Sequence, residues 1–216
     1  MKPRIKICCI SSIDEARMAI SFGASALGLV GPMPSGPGVI ADELIRTIAR
    51  TVPPPIGTFL LTSETIADAI IAHHERTRTN TIQLVDALQD AAYDQLRAAM
   101  PSVKLVQVIH VLNEASVNEA LRVAEHVDAL LLDSGNPQLA VKELGGTGRV
   151  HNWKLSRQIV AQARVPVFLA GGLNANNAPA ALEQVQPFGL DLCSSVRTDG
   201  KLDAQKLEAF FKIALL

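Results

Sequence analysis

Eight times along its 216 residues the chain sets a short run of β-branched and other apolar residues ahead of a longer segment of helical periodicity. The short runs, predicted strands, fall at residues 5–10, 26–30, 56–61, 81–85, 105–111, 129–133, 165–170 and 190–194. The longer segments, predicted helices, fall at 12–22, 41–51, 63–76, 90–100, 114–125, 153–163, 176–186 and 203–215. Strict alternation implies a parallel sheet, because each helix must return the chain to the same end of the sheet by a right-handed crossover. With eight such units the sheet can close on itself. The expected architecture is therefore an α/β fold, a single (β/α)8 TIM barrel domain over residues 1–216. An open doubly wound sheet is the other arrangement of such units, and the glycine fingerprint for a dinucleotide is absent.

Helix-start signals agree with this reading. Ser11 or Ser12 can cap the first helix ahead of Asp14 and Glu15, Ser63 stands before Glu64, and Asn113 stands before Glu114. The longest irregular stretches, 31–40 and 134–152, each follow a predicted strand. They belong to the rim at the strands' C-terminal ends, where barrels place their chemistry.

A net charge of -1 offers no general field for nucleic acid or an anionic membrane, and with 4% aromatic residues there is no row of rings to stack bases. Both partners are excluded from the expectation. The three cysteines, Cys8, Cys9 and Cys193, are an odd number with no framework spacing, and reduced thiols fit the cytoplasm. Adjacent on a strand, Cys8 and Cys9 should face opposite ways, leaving one of them for the barrel mouth. Residues 1–6 lack the apolar stretch of a secretory signal, and no run approaches the roughly 20 apolar residues of a membrane span. A cytoplasmic protein, monomer or homodimer, is expected.

Two strand ends read as phosphate sites. Gly171 and Gly172 follow the seventh strand, and Ser194 and Ser195 close the eighth. Glycine lets backbone N–H groups approach an anion, and barrels commonly hold phosphate between these two loops. The plainer reading is a tight turn and a capped helix. Asp133 ends the apolar run 129–132. A desolvated carboxyl there would have a raised pKa and suit a general acid, or it would brace a loop. Cys8 reads as a small core residue or a reactive thiol, and His110 at the end of the fifth strand reads as packing or solvent-facing. His73, His74 and His126 have no metal-ligand spacing, so no metal is expected.

Read together, these pieces resemble the phosphoribosylanthranilate isomerase family. The match runs in order through Lys6-Ile7-Cys8, Gln83-Leu84, Leu131 to Ser134, Gly145-Gly146-Thr147-Gly148 with Trp153, Ala170 to Asn174, and Asp191 to Ser194. The resemblance implies an Amadori rearrangement of an aminoaldose phosphate to a 1-amino-1-deoxyketose phosphate, with no cofactor. It implies that Asp133 protonates the furanose ring oxygen and that Cys8, as thiolate, removes the proton from C2. It also implies substrate contacts from Gln83 and Asp191 and phosphate contacts from Gly171, Gly172, Ser194 and Ser195.

The departures sit at substrate-facing positions. Cys9 stands where the family has glycine. The loop 34–38, Pro-Ser-Gly-Pro-Gly, lacks the family arginine that grips the anthranilate carboxylate. Val85-Asp86 replaces His-Gly, Asn152 replaces Asp before Trp153, and Ser194-Ser195-Val196-Arg197 replaces Ser-Gly-Val-Glu. A charged hydrogen bond contributes roughly 1.5–3 kcal/mol, so losing the arginine disfavours an anthranilate carboxylate. Arg197 would restore a cation from the other side of the mouth, or it is a surface residue. An altered aminosugar phosphate is one consequence. Two other functions remain open: a non-catalytic phosphosugar-binding relative, and another carbon–carbon or proton-transfer enzyme on the same barrel, where a Schiff-base lyase reading of Lys6 is set back by Cys8, two residues on and on the same face.

Overall fold

The computed structural model describes residues 2–34, 36–135 and 150–214. Eight strands occur in chain order: β1 (Arg4–Ile7), β2 (Ala26–Val30), β3 (Gly57–Thr62), β4 (Thr81–Leu84), β5 (Lys104–His110), β6 (Ala129–Asp133), β7 (Val167–Leu169) and β8 (Gly189–Leu192). Helices α1 (Ile13–Ser21), α2 (Asp42–Thr51), α3 (Ala67–Thr77), α4 (Asp90–Ala99), α5 (Ala115–Val123), α6 (Trp153–Gln162), α7 (Ala178–Val185) and α8 (Ala204–Ala214) alternate with them. Each strand pairs in parallel with the next, and β1 pairs with β8, closing the barrel. The architecture is a (β/α)8 barrel.

The apolar continuity of the strands follows from burial on two sides. One face packs against the helices, as Ile5, Leu27, Leu60, Ile82, Leu130 and Leu190 do. The alternate face fills the barrel with Ala26, Phe59, Val106, Ala129, Leu131 and Phe168. Phe59 and Phe168 meet edge to face there, 6.1 Å between ring centres. Amphipathic helices cover the outside, α2 burying Ile45 and Ile48 and α8 burying Leu207, Phe210 and Phe211.

Several ends differ from expectation for local reasons. Ser12 does cap α1, accepting from the Glu15 N–H at 3.1 Å. Ser63 caps nothing, since α3 begins four residues later. Thr62 Oγ1 instead accepts from the Glu64 N–H at 3.3 Å, an ST turn that holds the β3–α3 loop. β1 stops at Ile7 rather than continuing to residue 10, because Cys9 adopts a left-handed φ of 62° that no strand can carry. After β8, a 3₁₀ turn (Ser194–Val196) leads into a small hairpin of β9 (Arg197–Thr198) and β10 (Lys201–Leu202).

Candidate active site

The alternation of side chains decides what enters the barrel mouth. On β6, Ala129 and Leu131 fill the interior, so Asp133 follows them inward at the strand's C-terminal end. On β1, Lys6 points inward, and the register sets it opposite Asp191 of β8. Lys6 is fully buried and its Nζ donates to Asp191 Oδ1 at 2.9 Å. Gly28 on β2 makes room for this arrangement. A Cβ there would lie 2.7 Å from Cys8 Sγ and 3.1 Å from Lys6 Nζ.

Above this floor opens a cavity of about 730 Å³, including solvent space at its mouth. Its lining brings together Cys8, Gln83, Asp133, Asp191, Gly171, Gly172, Ser194 and Ser195. Cys9 lines it as well, which corrects the expectation that adjacent cysteines face apart. Alternation holds only for extended backbone, and the left-handed Cys9 turns its side chain to the same side as Cys8. A position of that kind is natural for glycine and costs another residue about 1–2 kcal/mol.

The electrostatics separate the two reactive groups. Burial pushes the Asp133 carboxyl above the ordinary carboxylate range, against the pull of the Ser134 N–H, which it accepts at 2.7 Å, and of His110 and Lys6. The Cys8 thiol moves the other way. A hydrogen bond from Cys9 holds its pKa down, burial opposes that, and the Lys6 ammonium adds to the lowering. Burial disfavours the Lys6 charge, but Asp191 and the cysteines outweigh it and raise its pKa. Lys6 is therefore a bound ammonium, unsuited to attack a carbonyl, and the lyase reading loses its nucleophile.

Three polar features of the lining stand apart from the internal hydrogen bonding. Gln83 Oε1 and Ser195 Oγ are buried without a hydrogen-bond partner among the described residues. The backbone N–H groups of Gly171 and Gly172 meet no acceptor among the described residues. Both glycines have positive φ, 81° and 62°, and the Asn174 and Asn177 side chains fix their turn by donating to the Gly172 carbonyl at 3.3 and 3.0 Å.

Arg197 is not brought to the cavity, which corrects its expected role as a substrate cation. Its Nη1 pairs with Glu15 Oε1 at 3.0 Å, and its Nη2 donates to the carbonyls of Cys8 and Cys9 at 3.3 and 2.5 Å. The guanidinium is spent behind the β1 loop, and burial of that ion pair explains why. No lysine or arginine lines the cavity among the described residues. His110 is buried with Nε2 3.2 Å from the Val85 carbonyl, and the β5–β6 register sets it beside Asp133. His73 bonds Thr62 and Asp42, His74 the Thr79 carbonyl, and His126 stacks on Tyr93. Among the described residues no group of three or more His, Cys, Asp or Glu is placed to hold a metal. Asn152 keeps a capping role, accepting from the Lys154 N–H at 3.0 Å. The glycine run Gly145 to Gly148 and Ser35 lie outside the described residues. Met33 and Pro37, which also line the cavity, carry no polar signal by which sequence reasoning would select them.

A family model for N-(5'phosphoribosyl)anthranilate isomerase matches residues 5–213. The chain belongs to this family. Among isomerase-family relatives, N-(5'-phosphoribosyl)anthranilate isomerase 2 of Methanosarcina mazei is 34% identical over 96% of this chain and 92% of its own. The Nostoc punctiforme isomerase is 33% identical over 97% of each. The solved structure from Pyrococcus furiosus superposes with a TM-score of 0.82 at 26% identity, over 98% of each chain. Another phosphoribosylanthranilate isomerase structure, with a TM-score of 0.78 at 25% identity over 98% of each chain, is a complex with reduced 1-(o-carboxyphenylamino)-1-deoxyribulose 5-phosphate. The chain is thus an isomerase of the phosphoribosylanthranilate isomerase type, and the non-catalytic alternative is not favoured. Among the described residues no helix is long and apolar enough to cross a membrane.

Proposed function

We propose that this single barrel domain carries out the Amadori rearrangement with Asp133 as acid and Cys8 as base, on a phosphorylated aminosugar. The observation that carries the reading is one cavity lined by a carboxyl shifted toward its protonated form and a thiol shifted toward its thiolate. An acid must protonate the ring oxygen as it leaves, opening the sugar to an iminium. A base must then take the C2 proton, which the iminium has already acidified, giving an enolamine that tautomerises to the ketone. The thiolate is favoured by the Cys9 hydrogen bond and by Lys6, whose charge Asp191 keeps in place.

In this reading the phosphate sits against Gly171, Gly172, Ser194 and Ser195, where free N–H groups and the Ser195 hydroxyl supply donors without a cation. Gln83 Oε1 accepts from a hydroxyl or amine of the ligand. The apolar wall of Val30, Met33, Leu61 and Val85 receives the substituent on the sugar nitrogen. The reading includes no metal or organic cofactor, a cytoplasmic location, and a monomer or homodimer.

The test is to supply phosphoribosylanthranilate to the purified protein and follow the loss of its fluorescence. Turnover is expected, and Cys8→Ala or Asp133→Ala should each lower it by a factor of about 10²–10⁴. Turnover indifferent to both substitutions refutes the assigned roles. Absence of turnover here, with turnover of another ribosylamine phosphate that both substitutions abolish, retains the roles and reassigns the substrate.

A further inference from the structure

The cavity also holds two sulfur atoms for which acid–base chemistry has no direct use. Cys9 Sγ and Cys193 Sγ lie 2.7 Å apart, one after β1 and the other after β8. We propose that Cys9 and Cys193 form a reversible modification site that closes to a disulfide when a hydroperoxide enters the cavity. The sulfurs need approach by only about 0.7 Å to reach the ~2.05 Å of a disulfide bond.

The backbones are already positioned for that bond. Ile7 is in register with Leu192, and the Cys8 N–H donates to the Leu192 carbonyl at 2.7 Å. From the opposite side the loop after β2 holds the Cys9 side chain toward Cys193. The Pro37 carbonyl lies 3.5 Å from Cys9 Sγ, and a Cβ on Gly38 would come within 2.5 Å of the Cys9 Cβ. Access is available too, since both cysteines line the cavity and Cys193 is only half-buried.

The chemistry balances with the hydroperoxide as the sole oxidant. The Cys193 sulfur attacks a peroxide oxygen, the O–O bond breaks, and the leaving alkoxide or hydroxide takes up the thiol proton. The Cys9 sulfur then attacks the resulting sulfenic acid. The S–S bond forms, the S–O bond breaks, and hydroxide leaves as water with the Cys9 proton. Two thiols lose two hydrogens, and the hydroperoxide is reduced to an alcohol (or water) and water. A dithiol reductant reverses the bond.

A consequence for turnover rests on the assignment of Cys8 as base. Cys9 lines the same cavity as Cys8 and is the neighbour that holds the Cys8 pKa down, and a Cys9 disulfide has no proton to give. Closing the bond therefore makes the Cys8 thiolate harder to form. Turnover at neutral pH falls several-fold, and the ascending limb of the pH–rate profile moves to higher pH.

The experiment exposes the purified full chain to hydrogen peroxide, alkylates free thiols and digests with trypsin. Free thiols should fall from three to one. The tryptic peptide 7–17, which carries Cys8 and Cys9, should be joined to peptide 165–197, which carries Cys193, until dithiothreitol is added. Cys9→Ser should abolish the link and Cys8→Ala should retain it. Three intact thiols, a link through Cys8, or oxidation that dithiothreitol does not reverse overturns the proposal, and the wild-type map reads this whatever the variants' stability. A link that leaves turnover and its pH profile unchanged overturns the regulatory consequence. A link in a protein with no turnover before or after treatment counts against the isomerase assignment and leaves the bond standing.

Discussion

Replacing Lys6 by methionine should destabilise the protein in a pH-dependent way that few other substitutions would reproduce. Lys6 is fully buried, and its partner Asp191 is 8% exposed. Removing one member of such a pair strands the other charge in a medium that cannot solvate it, at a cost of about 3–5 kcal/mol. That is a large share of the roughly 5–15 kcal/mol that holds a domain together. Asp191 can escape the penalty by taking up a proton. Burial already raises its pKa, and the Asp133 charge raises it too, so without Lys6 it must rise further. A carboxyl with a raised folded-state pKa binds its proton more tightly when folded. Its contribution is therefore intact at low pH and lost as pH climbs through the folded value, at up to about 1.4 kcal/mol per pH unit. Lys6→Met should consequently lie furthest below wild type at pH 8–9 and recover toward pH 5. Urea unfolding followed by circular dichroism across that range reads the difference. Lys6 also pulls down the Cys8 and Asp133 pKa values, so its removal raises both, and each change costs the variant further stability as pH rises, in the same direction as Asp191. The double replacement Lys6→Met with Asp191→Leu removes both charges and should return stability to within about 1–2 kcal/mol of wild type. A single variant with wild-type stability at pH 9, or a deficit that does not change with pH, refutes the reasoning.

Ser195→Ala should weaken inorganic phosphate binding by about 10- to 100-fold, measured by calorimetry, since a donor to a charged group contributes roughly 1.5–3 kcal/mol. Cys9→Gly should change the unfolding free energy by no more than about 1 kcal/mol, because relief of a left-handed backbone, about 1–2 kcal/mol, offsets the loss of a small buried side chain; chemical denaturation checks it. The pH dependence of kcat/KM should be bell-shaped, rising below the free-thiol value of about 8.5 as Cys8 ionises and falling as Asp133 loses its proton. Asp133→Asn should lower kcat by about 10²–10⁴ with an unchanged circular dichroism spectrum, as expected of a lost proton donor.

How much of this was legible in the chain varied with the range of the interaction. β2 and β6 have the predicted bounds, 26–30 and 129–133, because apolar runs buried on both faces announce themselves locally. Asp133 stood out for the same reason, as a carboxyl closing such a run. The early end of β1 was not legible, since nothing in a Cys-Cys pair signals a left-handed turn. Neither was the place of Arg197, whose partner Glu15 lies 182 positions away. A guanidinium near a strand end reads as a ligand for anions until the carboxylate that captures it is known. The closeness of Cys9 and Cys193, 184 residues apart, required the closure itself.

That closure has a consequence for how the molecule comes into being. Three polar side-chain pairs span the seam between the first and last units: Lys6 with Asp191, Cys9 with Cys193, and Glu15 with Arg197. A ribosome releases β1 long before β8 exists, and a nascent chain without β8 leaves the Lys6 ammonium with no counter-charge to be buried against. An inward charge on an open strand edge opposes pairing with another chain, and docking of the final strand is the event that buries it. Closure of the barrel and completion of the Lys6–Asp191 pair beneath the proposed base are thus one step.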